Sequence, residues 1–447
     1  MTTKGDFETR SFSNEVWSRM KELRRERYKL SFEAQTKGGL CVTGFAWGYL
    51  PLLAGFGNFG NPSPGTDFTR IAREGAGSEG LVKFVNLAES RGLYPVCGAI
   101  AAHLGQVFAG TSFGGSTGNK IMPDFVFQPQ GCHAQYKGGQ ICADLLGLPL
   151  LVIEAPFKNT ANSRSYLYSQ LAEAIEWIEK HTRHKFNDEL FIEATRHDIH
   201  SRVMWAKICE LMKAIPAPMS YRQAMSLRLP LVAYAYSKGT AEYMEMLYHE
   251  MQERVKNQIS GAPFEKKRLA HEGLHPLYRP DLLRWPEEYG AAFNQGEFMM
   301  AFGSFRYTSD GHRIPGQTLE ERGIELKSRE DALKALVEQR YPLEEENTDY
   351  DSPEWRTLHF LRMVEDWHID GVMVHLARRC AALCLGILTR IQDIRQAGIP
   401  VATYEASEGD PKEWNESRVR EDFDRFFDSL GLKKIASLDG GDSGADE

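Results

Sequence analysis

At 447 residues and 42% hydrophobic, the chain carries enough apolar material for a large core, and its length predicts two to four domains of roughly 100–200 residues. A formal charge of −8, from 53 basic and 61 acidic side chains without any dense Lys/Arg block, leaves no footprint for a phosphate backbone, so no nucleic-acid partner is expected. No run approaches the ~18 apolar residues of a membrane helix, and the N-terminus MTTKGDFETRSFSNEVW lacks the apolar centre of a signal peptide, so no membrane partner and a cytoplasmic location are expected.

Residues 12–36 are charged and helix-forming, with Ser13 or Asn14 available as a cap, and define an N-terminal helical segment, 1–37. GGLCVTGFAWGYLPLLAGFGNFGNPSPG reads as a strand entering a buried, Gly-rich loop. Helices are expected over 77–90 and from near Cys97. Over 124–155, DFVFQP reads as a strand, CHAQYKGGQICADLLG as a helix and LPLLVIEA as a strand, a βαβ unit within a first α/β lobe at 38–160.

From 161 to 259 apolar residues recur every three or four positions, as in YLYSQLAEAIEWIEKH and SRVMWAKICELMKAI, which predicts a helical subdomain. Alternation then resumes. Strands are expected in KRLAHEG and AAFNQGEFMMAFGSF, and helices in LYRPDLLRWPEEYG, in SREDALKALVEQRY and over 356–366. Acidic 342–355 reads as a solvated loop, 260–435 as a second α/β lobe, and 436–447 as a disordered tail. The expected fold class is therefore α/β. Two Rossmann-like or flavodoxin-like parallel-sheet lobes face a central cleft, with an N-terminal helix and a helical insertion.

Two stretches share one grammar. The first runs strand, Cys132, helix, Gly147, Pro149, Glu154; the second runs strand, Cys380, helix, Gly398, Pro400, Glu405. Gly can end a helix in the left-handed conformation and Pro cannot continue one, so the Gly-x-Pro has a local cause. A residue between a strand's carboxyl end and a helix start points into the ligand crevice of an open parallel sheet, and a helix N-terminus favours a thiolate. Cys97, in YPVCGAIAAHLG, also precedes a helix. Facing lobes would let these three thiols converge. The bland reading stands beside this one, because free cysteine is among the most buried residue types. Cys41, Cys142 and Cys209 fit that reading, and Cys384 lies one turn after Cys380 on an apolar stripe with Ile387, Leu388 and Ile391.

Three motifs are set aside. GFGNFG (55–60) matches a dinucleotide fingerprint, but NPSPG follows where the receiving helix should begin. HEGLH (271–275) matches a zinc-protease motif, but Gly273 lies inside it and Pro276 follows, so His271 and His275 would not share a helix face. GGSTGNKI (114–121) lacks the spacing and the Ser/Thr of a P-loop.

DFVFQPQGCHAQYKGGQICADLLGLPLLVIEAPF and the region from DWHIDGVMVHLARRCAALCLG to SLGLKK resemble the benzoyl-CoA reductase/2-hydroxyacyl-CoA dehydratase family. The similarity runs from KELRRERYKLSFEAQTKGGLCVTG to SRVREDFDRFF and is greatest to the larger active-site subunit of ATP-dependent benzoyl-CoA reductases. The resemblance implies a [4Fe-4S] cluster held by Cys97, Cys132 and Cys380, with one iron lacking a protein thiolate. It further implies a smaller paralogous active-site subunit as partner, ATP-hydrolysing activase subunits that inject low-potential electrons, ferredoxin as donor, and an aromatic acyl-CoA as substrate.

Reducing an aromatic thioester to a cyclic dienoyl-CoA needs an electron that side chains cannot supply and a cluster can. It also needs a proton donor, for which His133 and His103 are the candidates. Lys266, Lys267, Arg268 and Arg279 could meet the phosphates of CoA. The alternative within the family is a 2-hydroxyacyl-CoA dehydratase subunit acting by a ketyl radical, and outside it a metalloprotease or a redox-inactive scaffold.

Overall fold

The computed structural model describes residues 7–44, 48–61, 77–94, 96–110, 122–129, 131–350 and 352–435. The helix Asn14–Thr36 starts at Ser13, whose hydroxyl accepts from the Val16 amide at 3.2 Å. Beyond it, strands β1 (Leu40–Thr43), β2 (Phe59–Gly60), β3 (Phe125–Pro129) and β4 (Leu150–Ile153) form a parallel sheet in the order β2-β1-β3-β4. Every residue of β1 and β3 is buried, as expected for strands covered on both faces. Helices Gly98–Ala109 and His133–Leu146 pack on this sheet and on each other.

The second lobe repeats the plan. Strands β5 (Lys267–Glu272) and β6 (Ala291–Gln295) are followed by a short antiparallel ribbon, β7 (Phe305–Tyr307) with β8 (Arg313–Pro315). Then come β9 (Gly371–Ala377) and β10 (Val401–Ala406), and the parallel sheet is ordered β10-β9-β5-β6. In each lobe the first strand is central, the second lies to one side, the third to the other, and the fourth beyond the third. The switch points fall between β1 and β3 and between β5 and β9, and the third strand in each lobe leads to Cys132 or Cys380. Gly147 and Gly398 both take positive φ, 64° and 77°, as their place after a helix requires.

The inserted helices Ala161–Thr182, Asp188–Leu211, Tyr221–Leu227, Leu229–Tyr234 and Lys238–Lys256 join the two cores. Thr160, Asn187, Ser220 and Ser237 cap four of them through side-chain oxygens. Along Asp188–Leu211, Val203 enters the first-lobe core and Trp205 the second. Trp205 Nε1 donates to Met299 O and Trp367 Nε1 to Cys209 O, both at 3.1 Å. The layer is therefore a wedge shared by both lobes. Among the described residues no helix is long and apolar enough to cross a membrane.

Four local expectations change. Pro280–Tyr289 is a 3-10 helix, because Pro286 removes a donor from its interior. The ribbon β7–β8 was not anticipated, since its strands are three residues long. The acidic segment is docked through Glu345, which accepts from the Tyr307 amide at 3.0 Å and the Tyr350 hydroxyl at 2.8 Å. The helix after Cys380 is two helices, Ala381–Cys384 and Ile387–Gln396, broken at Gly386 with φ 74°. The predicted apolar stripe is consequently cut, and Leu388 is 67% exposed.

The lobes meet where the turn after β10 docks on the start of Gly98–Ala109. A Cβ at Gly98 would lie 2.5 Å from Ser407 Oγ and 2.8 Å from Asp410 N. Gly98→Ala is predicted to lower stability by about 1–3 kcal/mol, the range for overpacking a close contact. Urea unfolding measures this, and an unchanged midpoint would show that the turn yields without strain.

Candidate thiol site between the lobes

Cys97, Cys132 and Cys380 are each the residue immediately before a helix, and each is only partly buried. Cys132 Sγ accepts from the Gln135 amide at 3.4 Å. The short helix after Cys380 packs against the helix after Cys132, which packs against the helix after Cys97. The Cys380 charge acts on Cys97 and the Cys132 charge on Cys380, so one electrostatic neighbourhood contains all three. Among the described residues, no three His, Cys, Asp or Glu side chains converge tightly enough to hold a single metal ion.

Glu408, two residues beyond β10, stands beside two of these thiols, Cys97 and Cys380. The Cys97 thiol donates to Glu408 Oε1 at 2.7 Å, and the Ala99 amide points at the same oxygen at 3.4 Å. Glu408 is 2% exposed, and its Oε2 has no hydrogen-bond partner. Burial, followed by the Glu408 charge, pushes the Cys97 thiol well up and Cys380 up to about 12. The thiolate stabilisation expected from helix starts is outweighed at both positions. Sequence reasoning missed Glu408, because SEGD offers no spacing to a cysteine 311 residues away.

Arg379 fixes the neighbouring backbone. It adopts φ 64° and pairs with Asp410 at 2.6 Å, Glu413 at 2.7 Å and Glu89 at 3.2 Å. Glu89 belongs to the helix Gly77–Ser90 of the first lobe, so the residue before Cys380 ties both lobes together. Cys384 turns away from this centre: its thiol donates to Ala377 O at 3.2 Å, and it packs on the second-lobe core. Cys41, Cys142 and Cys209 are buried.

The two candidate proton donors differ. His133 is exposed beside Cys132. His103 is buried within Gly98–Ala109, and burial lowers its pKa to about 4. Three of the four basic residues suggested for CoA, all but Lys266, are already engaged. Arg268 is fully buried, pairs with Glu265 and donates to the carbonyls of Trp367, Ala214 and Met212, so it cannot meet a phosphate. Lys267 pairs with Asp370 at 3.1 Å, and Arg279 with Asp281 and Glu416, both at 2.8 Å.

GFGNFG runs from the helix Leu50–Ala54 into β2, the reverse of the strand-to-helix order of a dinucleotide site. GGSTGNKI lies outside the described residues. In HEGLH, His271 and Glu272 belong to β5 and Gly273 has φ 86°, so no helix aligns the two histidines. His271 Nε2 and the Tyr404 hydroxyl are 2.8 Å apart, and His375 stacks on Tyr404 at 4.7 Å.

Residues 79–430 match the family model described as 2-hydroxyglutaryl-CoA dehydratase, D-component. The chain belongs to this family. That is the grouping to which the motifs around Cys132 and Cys380 pointed. The chain is 25% identical over 314 residues to the (R)-2-hydroxyglutaryl-CoA dehydratase alpha subunit of Acidaminococcus fermentans, covering 67% of this chain and 59% of that relative. It is also 25% identical over 311 residues to the (R)-phenyllactyl-CoA dehydratase alpha subunit of Clostridium sporogenes, covering 66% of this chain and 68% of that one. The chain thus spans less than two thirds of the first relative's length.

The buried histidines make stability acid-sensitive. Burial lowers His103, His359 and His375 to about 4 and His275 to about 3. Their unfolded counterparts protonate near pH ~6.5, so stability is full above that value and is lost as pH falls towards 4, by about 2 kcal/mol per histidine at pH 5. Glu272, raised to about 7 by burial, works in the opposite direction but is a single group. The urea midpoint should therefore fall between pH 7.5 and pH 5, and an unchanged or higher midpoint would contradict neutral burial of these rings.

Proposed function

We propose that this chain is an iron-sulfur active-site subunit of an ATP-dependent benzoyl-CoA reductase, in which Cys97, Cys132 and Cys380 hold a [4Fe-4S] cluster. The observation that carries the reading is the gathering of three thiols from three helix starts, two of them beside a buried carboxylate with an unpartnered oxygen. The donor set fits the group. A cluster is wider than a single ion, so its ligands stand further apart, and thiolate is the usual protein ligand of iron-sulfur centres. When bound, such a cluster supplies single electrons at low potential to a CoA thioester.

The chain's own residues supply position and protons. Glu408 accepts a hydrogen bond from the Cys97 thiol and fixes it towards the second lobe. Arg379, held by carboxylates of both lobes, sets the approach of Cys380. Of the two histidines, His133 is the better proton donor. It can exchange protons with solvent, whereas buried His103 stays neutral at the pH of the reaction. A smaller paralogous subunit, an ATP-hydrolysing activase and ferredoxin complete the proposed system. The naming of both relatives as alpha subunits supports a partner subunit.

A second reading has its own support. Both relatives are named as dehydratases of 2-hydroxyacyl-CoA thioesters, so water elimination from such a substrate is the alternative reaction. One set of samples tests the cluster and then the reaction. Anaerobically purified protein should contain about four irons and four labile sulfides per chain, as the proposed cluster requires, with a low-temperature EPR signal after reduction. Cys97→Ser, Cys132→Ser and Cys380→Ser should each lose most of the iron, and Cys384→Ser should keep it. Wild-type protein without iron would overturn the proposal. With partner and activase present, dienoyl-CoA formed from benzoyl-CoA identifies the reductase, and an enoyl-CoA formed only from a 2-hydroxyacyl-CoA identifies the dehydratase.

A further inference from the structure

Among the described residues, the buried arginines other than Arg228 have their charge answered. Arg202 meets Asp198 at 2.6 Å, Arg313 meets Glu297 at 3.2 Å, and Arg268 meets Glu265. Arg27 donates instead to several backbone carbonyls, and Arg254 adds to such bonds a 4.0 Å pairing with Glu250. Arg228 has neither arrangement. It is 3% exposed, Nη1 donates to Phe298 O at 3.2 Å, Nε has no hydrogen-bond partner, and among the described residues no carboxylate pairs with it. Its guanidinium lies over Phe298 at 4.5 Å and Phe302 at 5.2 Å, a setting that orients the cation without neutralising it.

Other unanswered polar groups surround it. Tyr221, fully buried and within reach of the Arg228 charge as well as of Glu272 and Glu297, which are themselves paired with Arg390 and Arg313, has a hydroxyl with no partner. His275, 4% exposed and also acted on by that charge, has no partner at Nδ1. Gln295 at the end of β6 has none at Nε2, and a Cβ on the adjacent Gly296 would lie 3.0 Å from the Tyr221 ring. Buried donors left unmade are expensive, and so is an isolated buried cation. An anion would answer both.

The place is one where ligands bind. These groups gather at the carboxyl ends of β5 and β6, and the neighbouring strand β9 leads to Cys380. The His275 loop is tied to the thiol site, since the Leu277 amide donates to Glu408 O at 3.0 Å. The carboxyl edge of an open parallel sheet is its ligand side, and these groups reach it at β5, the strand that flanks the switch point with β9.

We propose that Arg228, Tyr221, His275 and Gln295 form an oxyanion-binding subsite for a carboxylate-type oxygen. A planar guanidinium with a hydroxyl, an imidazole and an amide suits that chemistry better than a point cation would. The oxygen is either that of a free carboxylic acid or the carbonyl oxygen of an acyl thioester as it takes on negative charge. The thioester form rests on the function proposed above, and the free-acid form does not.

Calorimetric titration of the intact protein with benzoate, with benzoyl-CoA and with sodium chloride as control tests the subsite. The variants are Tyr221→Phe, which removes one oxygen and keeps the ring, and Arg228→Lys. Iron content and thermal unfolding are measured on the same samples. At least tenfold weaker binding of benzoate in both variants, with chloride inert, supports a carboxylate subsite. The same loss for benzoyl-CoA alone assigns the site to the thioester, and loss for both probes shows that the two oxygens share it. Equal affinities in wild type and Tyr221→Phe, or no binding of either probe by wild type, would overturn the proposal and leave ordered water to satisfy these groups. Failure of the cluster reading registers in the iron content, not in benzoate binding.

Discussion

The docking of the 407–410 turn against the start of Gly98–Ala109 is the constraint on which the rest of the molecule depends. Each lobe is a complete four-stranded parallel sheet. Their alignment is set by a few directed contacts: the Cys97 thiol on Glu408, Gly98 against Ser407, and Arg379 and Lys412 on Glu89 at 3.2 and 2.7 Å. Such contacts are short-range and geometric, so a change of about an ångström at this turn reaches Cys97 and Cys380 together. Asp410 is 1% exposed at its side chain, and its pairing with Arg379 therefore acts in a low-dielectric setting, where removing one partner is far more damaging than removing an exposed pair.

The shared helical wedge gives the second restraint. Val203 and Trp205 lie on one helix yet serve different cores, so a rigid movement of one lobe cannot leave the other untouched. Interiors of this density do not deform smoothly. The two indole donors on Met299 and Cys209 carbonyls add direction to that packing and link the insertion to the second sheet. The turn and the wedge thus both hold the lobes together.

Much of this was legible in the sequence because long amphipathic helices and buried strands each impose a period. The two βαβ units, the wedge helices and the placement of Cys97, Cys132 and Cys380 before helices all followed from local pattern and chain order. What escaped depended on contacts between distant residues. Glu408 carries no local mark of its bond to Cys97, and β7 and β8 are too short to show alternation. The stripe through Cys384 looked continuous because period alone does not register the left-handed turn at Gly386. Arg268 looked like surface charge because its burial is set by three carbonyls from elsewhere in the chain.

Electrostatics then divides the carboxyl edge of the second sheet into two regions of opposite demand. At the β9–β10 end, Glu408 brings a buried acid to the thiols, while the nearest guanidinium, that of Arg379, is committed to Asp410, Glu413 and Glu89. The thiols respond by holding their protons, as the raised values of Cys97 and Cys380 indicate. That region gains from a positive occupant, which would displace those protons. At the β5–β6 end Glu272 and Glu297 are taken up by Arg390 and Arg313, while Arg228 keeps its charge without a carboxylate and the neutral ring of His275 adds none. Charged and polar groups that packing holds in place need no rearrangement to meet a charge that develops beside them.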